Sequence, residues 1–147
     1  MFRIRFMKKI VLISCVKKKR DGRHKAEDLY ISPFFKKSMA YAKANKPDKI
    51  FILSALHGLL PLGKRIDNYD LSLNNFKVNE LRTWADRTIH QLGRVSDLEQ
   101  DIFIFLAGDR YRKYLLPKII HYKIPMKGLG IGKQLRYLKR NCNAGKL

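Results

Sequence analysis

Residues 11–20 read VLISCVKKKR: an apolar run, one cysteine, one more valine and then four consecutive cations. From Lys9 to Cys15 the run is short, uninterrupted and rich in Ile and Val, the pattern of a strand buried on both faces, as in a parallel sheet. Lys49 to Leu53 and Asp101 to Ala107 read the same way. Helical patterns lie between the three runs. Ser32 followed by Pro33 is an N-cap with proline at the first helical position, opening a helix to about Lys46. Val78, Leu81, Trp84, Ala85, Thr88, Ile89 and Leu92 repeat at helical spacing and predict a second, amphipathic helix. A third is expected from near Asp109 and a fourth over Gly132 to Arg140. This alternation predicts right-handed crossovers and an α/β fold, a three-layer domain with a mainly parallel sheet. At 147 residues, 1–147 are expected to form a single domain with a core that needs no staples.

In such a sheet, ligands bind outside the carboxyl ends of the strands. The first strand delivers Ser14, Cys15, Lys17 and Lys18 to that edge, the second Ser54 and His57, the third Gly108, Asp109, Arg110 and Tyr111. Strand-end loops are polar in any protein, so each residue taken alone is equally well a solvated turn.

Charge narrows the partner. Lys and Arg number 32 against 12 Asp and Glu, a net charge of +20. Such an excess repels itself, and a polyanion whose phosphates neutralise it is the usual reason to keep it. Asp109 is the last acid, and Arg110, Lys133, Arg136 and Arg140 stand out among the cations that follow. Tyr111, Tyr114, Tyr122 and Tyr137 are interleaved with them, suited either to stacking on unpaired bases or to half-burial on a helix. The alternative is a lysine-rich solvated surface.

Against that charge, the two acids of SALHGLLPLGKRIDNYDLSL, residues 54–73, read as the loop after the second strand, are conspicuous, since no acid lies between Asp48 and Asp67. A carboxylate in a polyanion-binding protein is expected where it has a task, such as orienting water or stabilising positive charge. Pairing of Asp67 and Asp70 with nearby cations is the competing reading. GLGIGK, residues 128–133, matches neither the P-loop nor the dinucleotide fingerprint and is read as a glycine-rich helix entry.

Residues 11–16 are too short for a signal-peptide core, no run is long enough to span a bilayer, and Cys15 and Cys142 are too few for a disulfide framework. A cytoplasmic monomer is expected, with no metal and no cofactor. Met7 can serve as the start, leaving Met1 to Phe6 as an extension.

The motifs SCVKKK, DLYISPFF, ILSALHGLL, IDNYDLSL, FLAGDRYR and GLGIGKQLRYLK, in that order, resemble a small bacterial and phage family classed as a domain of unknown function, of the DUF6884 type. Their order is also similar to the central domain of archaeosine synthase, and that wider group resembles the uracil-DNA glycosylase superfamily in fold and the DNA-binding proteins of the YaaA type. The resemblance covers about Lys8 to Arg140. It implies a nucleobase-handling domain, and some members look like anti-phage glycosylases that remove hypermodified bases. The archaeosine-synthase loop continues with Pro-Tyr where this chain has Lys18 and Lys19. The Asp-Pro-Tyr and His-Pro-Ser loops of ordinary uracil-DNA glycosylases are absent, so uracil is not the expected substrate.

These features lead to an expected DNA glycosylase that flips a modified base, such as a glycosylated phage base, and leaves an abasic site. Asp70 is the first catalytic candidate, with Asp67 and Asp109 behind it, acting on the oxocarbenium-like charge. Ser14, Cys15, Lys17, Lys18, Tyr30, Ser54, His57, Tyr69 and Tyr111 are substrate-binding candidates. Lys17 and Lys18 are expected to act on phosphate or departing base and not as Schiff-base amines. DNA is the expected partner, with RNA open. A base-modifying transferase and a non-catalytic nucleic-acid binder are the alternatives.

Overall fold

The computed structural model describes residues 7–142; Met1 to Phe6 and Lys146 lie outside them. In chain order the elements are β1 (Lys9–Ser14), β2 (Arg23–Lys25), α1 (Ala26–Leu29), α2 (Pro33–Ala44), β3 (Lys49–Ser54), β4 (Gly58–Pro61), β5 (Arg65–Asp67), α3 (Val78–Val95), β6 (Ile102–Leu106), α4 (Asp109–Arg112), β7 (His121–Lys123) and α5 (Ile131–Arg140). Single 3₁₀ turns form at Leu73–Asn75 and Leu116–Lys118.

The main sheet is mixed α/β in its layering, with strand order β4-β3-β1-β6-β7 and every pairing parallel except β3 with β4. β1, β3 and β6 are the three expected strands. Ile10 to Ile13, Ile52, Leu53 and Phe103 to Leu106 are buried in them, which is why they read as continuous apolar runs and not as alternation. The chain steps from β1 to β3 on one side and later to β6 on the other. Right-handed connections in both directions set α2 and α3 on opposite faces. Ser32 caps α2 as expected, its Oγ accepting from Phe35 N at 3.1 Å. On α3 the apolar stripe starts at Leu81. Val78 stands exposed at the first helical position.

Two expectations need correction. The segment after the second strand is not a plain loop, because it folds back as β4, antiparallel to β3, and then forms β5 against β2. Gly58 makes the reversal: its φ is +72°, and a Cβ there would run into Gln91 Oε1. Pro61 is tolerated because β4 is a sheet edge. The helix expected from Asp109 is one turn. Arg112 Nη1 donates back to Ala107 O at 2.6 Å, and Pro117 would clash with the carbonyl four residues earlier if the helix continued.

Candidate functional site

The strand order reverses about β1, so its exit and that of β6 diverge and leave a crevice at their carboxyl ends. A cavity of about 520 Å³ occupies it, lined by Cys15, Val16, Lys17 and Lys19 after β1, Tyr111 after β6, and Asp70, Leu71, Ser72, Asn74 and Asn75 beyond β5. That volume suits a small organic ligand.

The loop after β1 bends at Lys17 as it passes the cavity. Cys15 N still bonds to Leu53 O, and Lys19 pairs as an isolated antiparallel bridge with Tyr30. Cys15, Val16, Lys17 and Lys19 line the cavity, and Lys18 is exposed outside it. Lys19 Nζ donates to Lys17 O at 3.2 Å and stands 4.5 Å from the centre of the Tyr69 ring and 5.8 Å from that of Tyr30. Burial lowers the Lys19 pKa from its ordinary value; Cys15 and Asp70 pull it back up, and Lys17 adds to the lowering.

Beneath the cavity lies a hydroxyl network. Tyr69 Oη is 2.6 Å from Tyr30 Oη and 2.7 Å from Ser54 Oγ, which also accepts from His57 N at 3.0 Å. Trp84 Nε1 closes the network on Ser54 O at 2.9 Å. Tyr30 and Ser54 are fully buried: they hold Tyr69 in place and offer no surface to a ligand. Burial, with Cys15 close by, pushes the Tyr69 and Tyr111 phenols well above their ordinary range, so both remain protonated donors. Tyr111 Oη lies 3.3 Å from Cys15 Sγ and its ring stands edge-on to Trp84. Cys15 is thereby a buried wall residue between two strand exits.

The remaining expected residues are dispersed. Asp67 ends β5 on the surface, paired with Arg23 at 3.5 Å with both side chains more than half exposed. Its position matches the ion-pair alternative. Asp109 is exposed on the single turn of α4 and does not line the cavity. Ser14 faces a smaller, mostly apolar cavity with Phe34, Phe105 and Met126. His57 sits in the β3–β4 turn with its ring edge-on to Tyr69; burial, Lys64 and Arg87 lower its pKa. Arg110 is exposed but folds back on the chain: its Nε donates to Leu73 O at 3.0 Å and its Nη2 to Phe76 O, fastening the 3₁₀ turn that carries Asn74 and Asn75 to the cavity. Lys133, Arg136 and Arg140 do come together, on one side of α5 around a surface groove with Tyr137 and Asn141.

Lys19, Ser72, Asn74 and Asn75 are the residues that sequence reasoning leaves out. Lys19 stands in the same run of cations as Lys17 and Lys18, and its bridge to Tyr30, which the sequence does not mark, turns it to the cavity. Nothing in the sequence marks Asn74 and Asn75, which depend on the Arg110 bonds. Among the described residues no group of three or more His, Cys, Asp or Glu is placed to hold a metal ion, and no helix is long and apolar enough to cross a membrane.

Comparison with known proteins is consistent across nearly the whole length. The chain is similar to the uncharacterized protein YfjM of Bacillus subtilis (strain 168), 35% identical over 150 residues that cover 91% of this chain and 95% of the relative. No solved structure matches it. The model of the family of unknown function DUF6884 matches residues 10–140, and the chain belongs to that family.

Proposed function

We propose that the protein is a DNA glycosylase that takes a flipped, modified base into the cavity at the β1 and β6 exits and leaves an abasic site. The observation that carries this reading is one carboxylate, that of the exposed Asp70, in the lining of a cavity whose other charged residues are the cations Lys17 and Lys19. Cleaving the bond between base and sugar develops positive charge on the sugar and negative charge on the base. Asp70 answers the first. Lys17, the Tyr111 hydroxyl and the amides of Asn74 and Asn75 answer the second, in a crevice where oriented groups act more strongly than in water. The cationic groove of Lys133, Arg136 and Arg140 holds the flanking phosphates.

A uracil-DNA-glycosylase-like arrangement of the sheet belongs to this proposal, supported by the strand reversal about β1 and a cavity at the switch point. So does a hypermodified phage base as substrate, with anti-phage defence in the cytoplasm as its setting and a monomer as the working unit. Incubation with unmodified and hypermodified phage DNA, followed by alkali or an abasic endonuclease, tests it. Strand breaks confined to the modified DNA are expected. Modified bases altered without abasic sites would indicate a transferase, and binding with no change to the DNA would indicate a non-catalytic protein.

A further inference from the structure

Lys17 and Lys19 share a cavity but are built differently. Lys17 is exposed, as suits a lysine that follows a phosphate. Lys19 is partly buried, and its Nζ is held by the Lys17 carbonyl and set against the Tyr69 ring. Restraint is a poor property for gripping a mobile backbone and a useful one for aiming an amine.

We infer that Lys19 is an amine nucleophile, and that the cavity accepts an abasic deoxyribose and breaks the strand on its 3′ side. This rests on the glycosylase reading, because base release is what supplies that sugar to the site. Two observations converge on it. Lys19 lines the cavity beside Lys17, and its partial burial, with a small addition from the Lys17 charge, favours the neutral amine. The groups around it are Cys15, Lys17, Tyr30, Tyr69 and Asp70. Of these Cys15, Asp70 and the two rings favour the ammonium, and burial outweighs them in direction. Asp70, on the cavity wall, is a carboxylate to receive a proton.

The chemistry balances without a further reactant. Lys19 Nζ adds to C1′ of the open-chain aldehyde, and loss of water leaves a protonated imine. Asp70 takes a proton from C2′, the electrons of that C–H bond form the C2′=C3′ double bond, and the C3′–O bond breaks with phosphate as the leaving group. Water then hydrolyses the imine, releasing the unsaturated sugar aldehyde and restoring the amine.

The test uses the full chain and an oligonucleotide carrying one preformed abasic site, with sodium borohydride to reduce the imine. A covalent protein–DNA adduct is expected, mapping to Lys19 by peptide mass spectrometry. It should fall at least about tenfold in Lys19→Arg, which keeps the charge and lacks the primary amine, and persist in Lys37→Ala, an exposed lysine of α2 outside the cavity. Peptide mapping on the unsubstituted protein decides the matter even if Lys19→Arg folds poorly. No adduct, an adduct on another lysine, or one undiminished in folded Lys19→Arg would overturn the inference. A parallel assay of base release from modified DNA separates the two readings: release without trapping leaves the glycosylase and removes the amine chemistry, and trapping without release does the reverse.

Discussion

Tyr69 Oη lies 2.7 Å from Ser54 Oγ, so the residue before Asp70 is fastened to the end of strand β3, beside the central β1. A second bond, 2.6 Å to Tyr30 Oη, ties it to the segment that pairs with Lys19. One phenol thus sets the positions of the carboxylate and, through its ring, of the amine. Tyr69→Phe removes both bonds and leaves two buried hydroxyls short of a partner, a cost of about 1–3 kcal/mol. Thermal or denaturant unfolding should show that loss. Activity per folded molecule should fall as well, because Asp70 loses its anchor. Unchanged stability would mean that the network contributes nothing.

The cationic groove and Arg110 should separate in salt titrations of DNA binding. Lys133, Arg136 and Arg140 present free charge on α5, and removing each should lower the salt slope by about one and weaken all sequences alike. Arg110 spends its donors on the carbonyls of Leu73 and Phe76. Arg110→Ala should therefore leave the slope nearly intact and lower the melting temperature by loosening the 3₁₀ turn. A full unit of slope lost in Arg110→Ala would show that its phosphate contact outweighs its structural one.

His57 gives a signed pH dependence. Its pKa is lowered in the folded protein by burial and by Lys64 and Arg87, so just below 6.5 the unfolded chain binds more protons than the folded one. Its contribution to stability therefore rises with pH through that window and is lost as pH falls below it. His57→Gln should flatten the pH dependence of unfolding there. An unaltered profile would remove His57 from the balance.

Which parts were legible in the sequence follows from element length and burial. β1, β3 and β6 are five or six residues long and buried between helices, so their composition announces them. β2, β5 and β7 are three residues each and largely exposed, too short and polar for periodicity to register. β4 hides behind its Gly and Pro, which mark a turn and a sheet edge at once. At the site, Cys15, Lys17 and Tyr111 were found by following strand exits, a rule about backbone direction, and Asp70 by the scarcity of acids around it. Ser54, found by the same rule, and Tyr30, named only as a substrate-binding candidate, lie one layer deeper than expected, since exposure depends on packing that neither reading contains. Asp67 and Asp70, three residues apart, go to a surface ion pair and to the cavity respectively, because β5 ends between them.

The central claim is that Asp70 works on the reacting sugar, and Asp70→Asn in single-turnover base release from hypermodified DNA tests it most directly. The substitution keeps shape and removes charge, so the rate should fall by roughly 10²-fold or more, as when one electrostatic stabiliser is lost. DNA affinity should hold or tighten, because a negative charge near phosphates has gone, and the melting temperature should stay near that of the unsubstituted protein. Undiminished base release by folded Asp70→Asn would contradict the account.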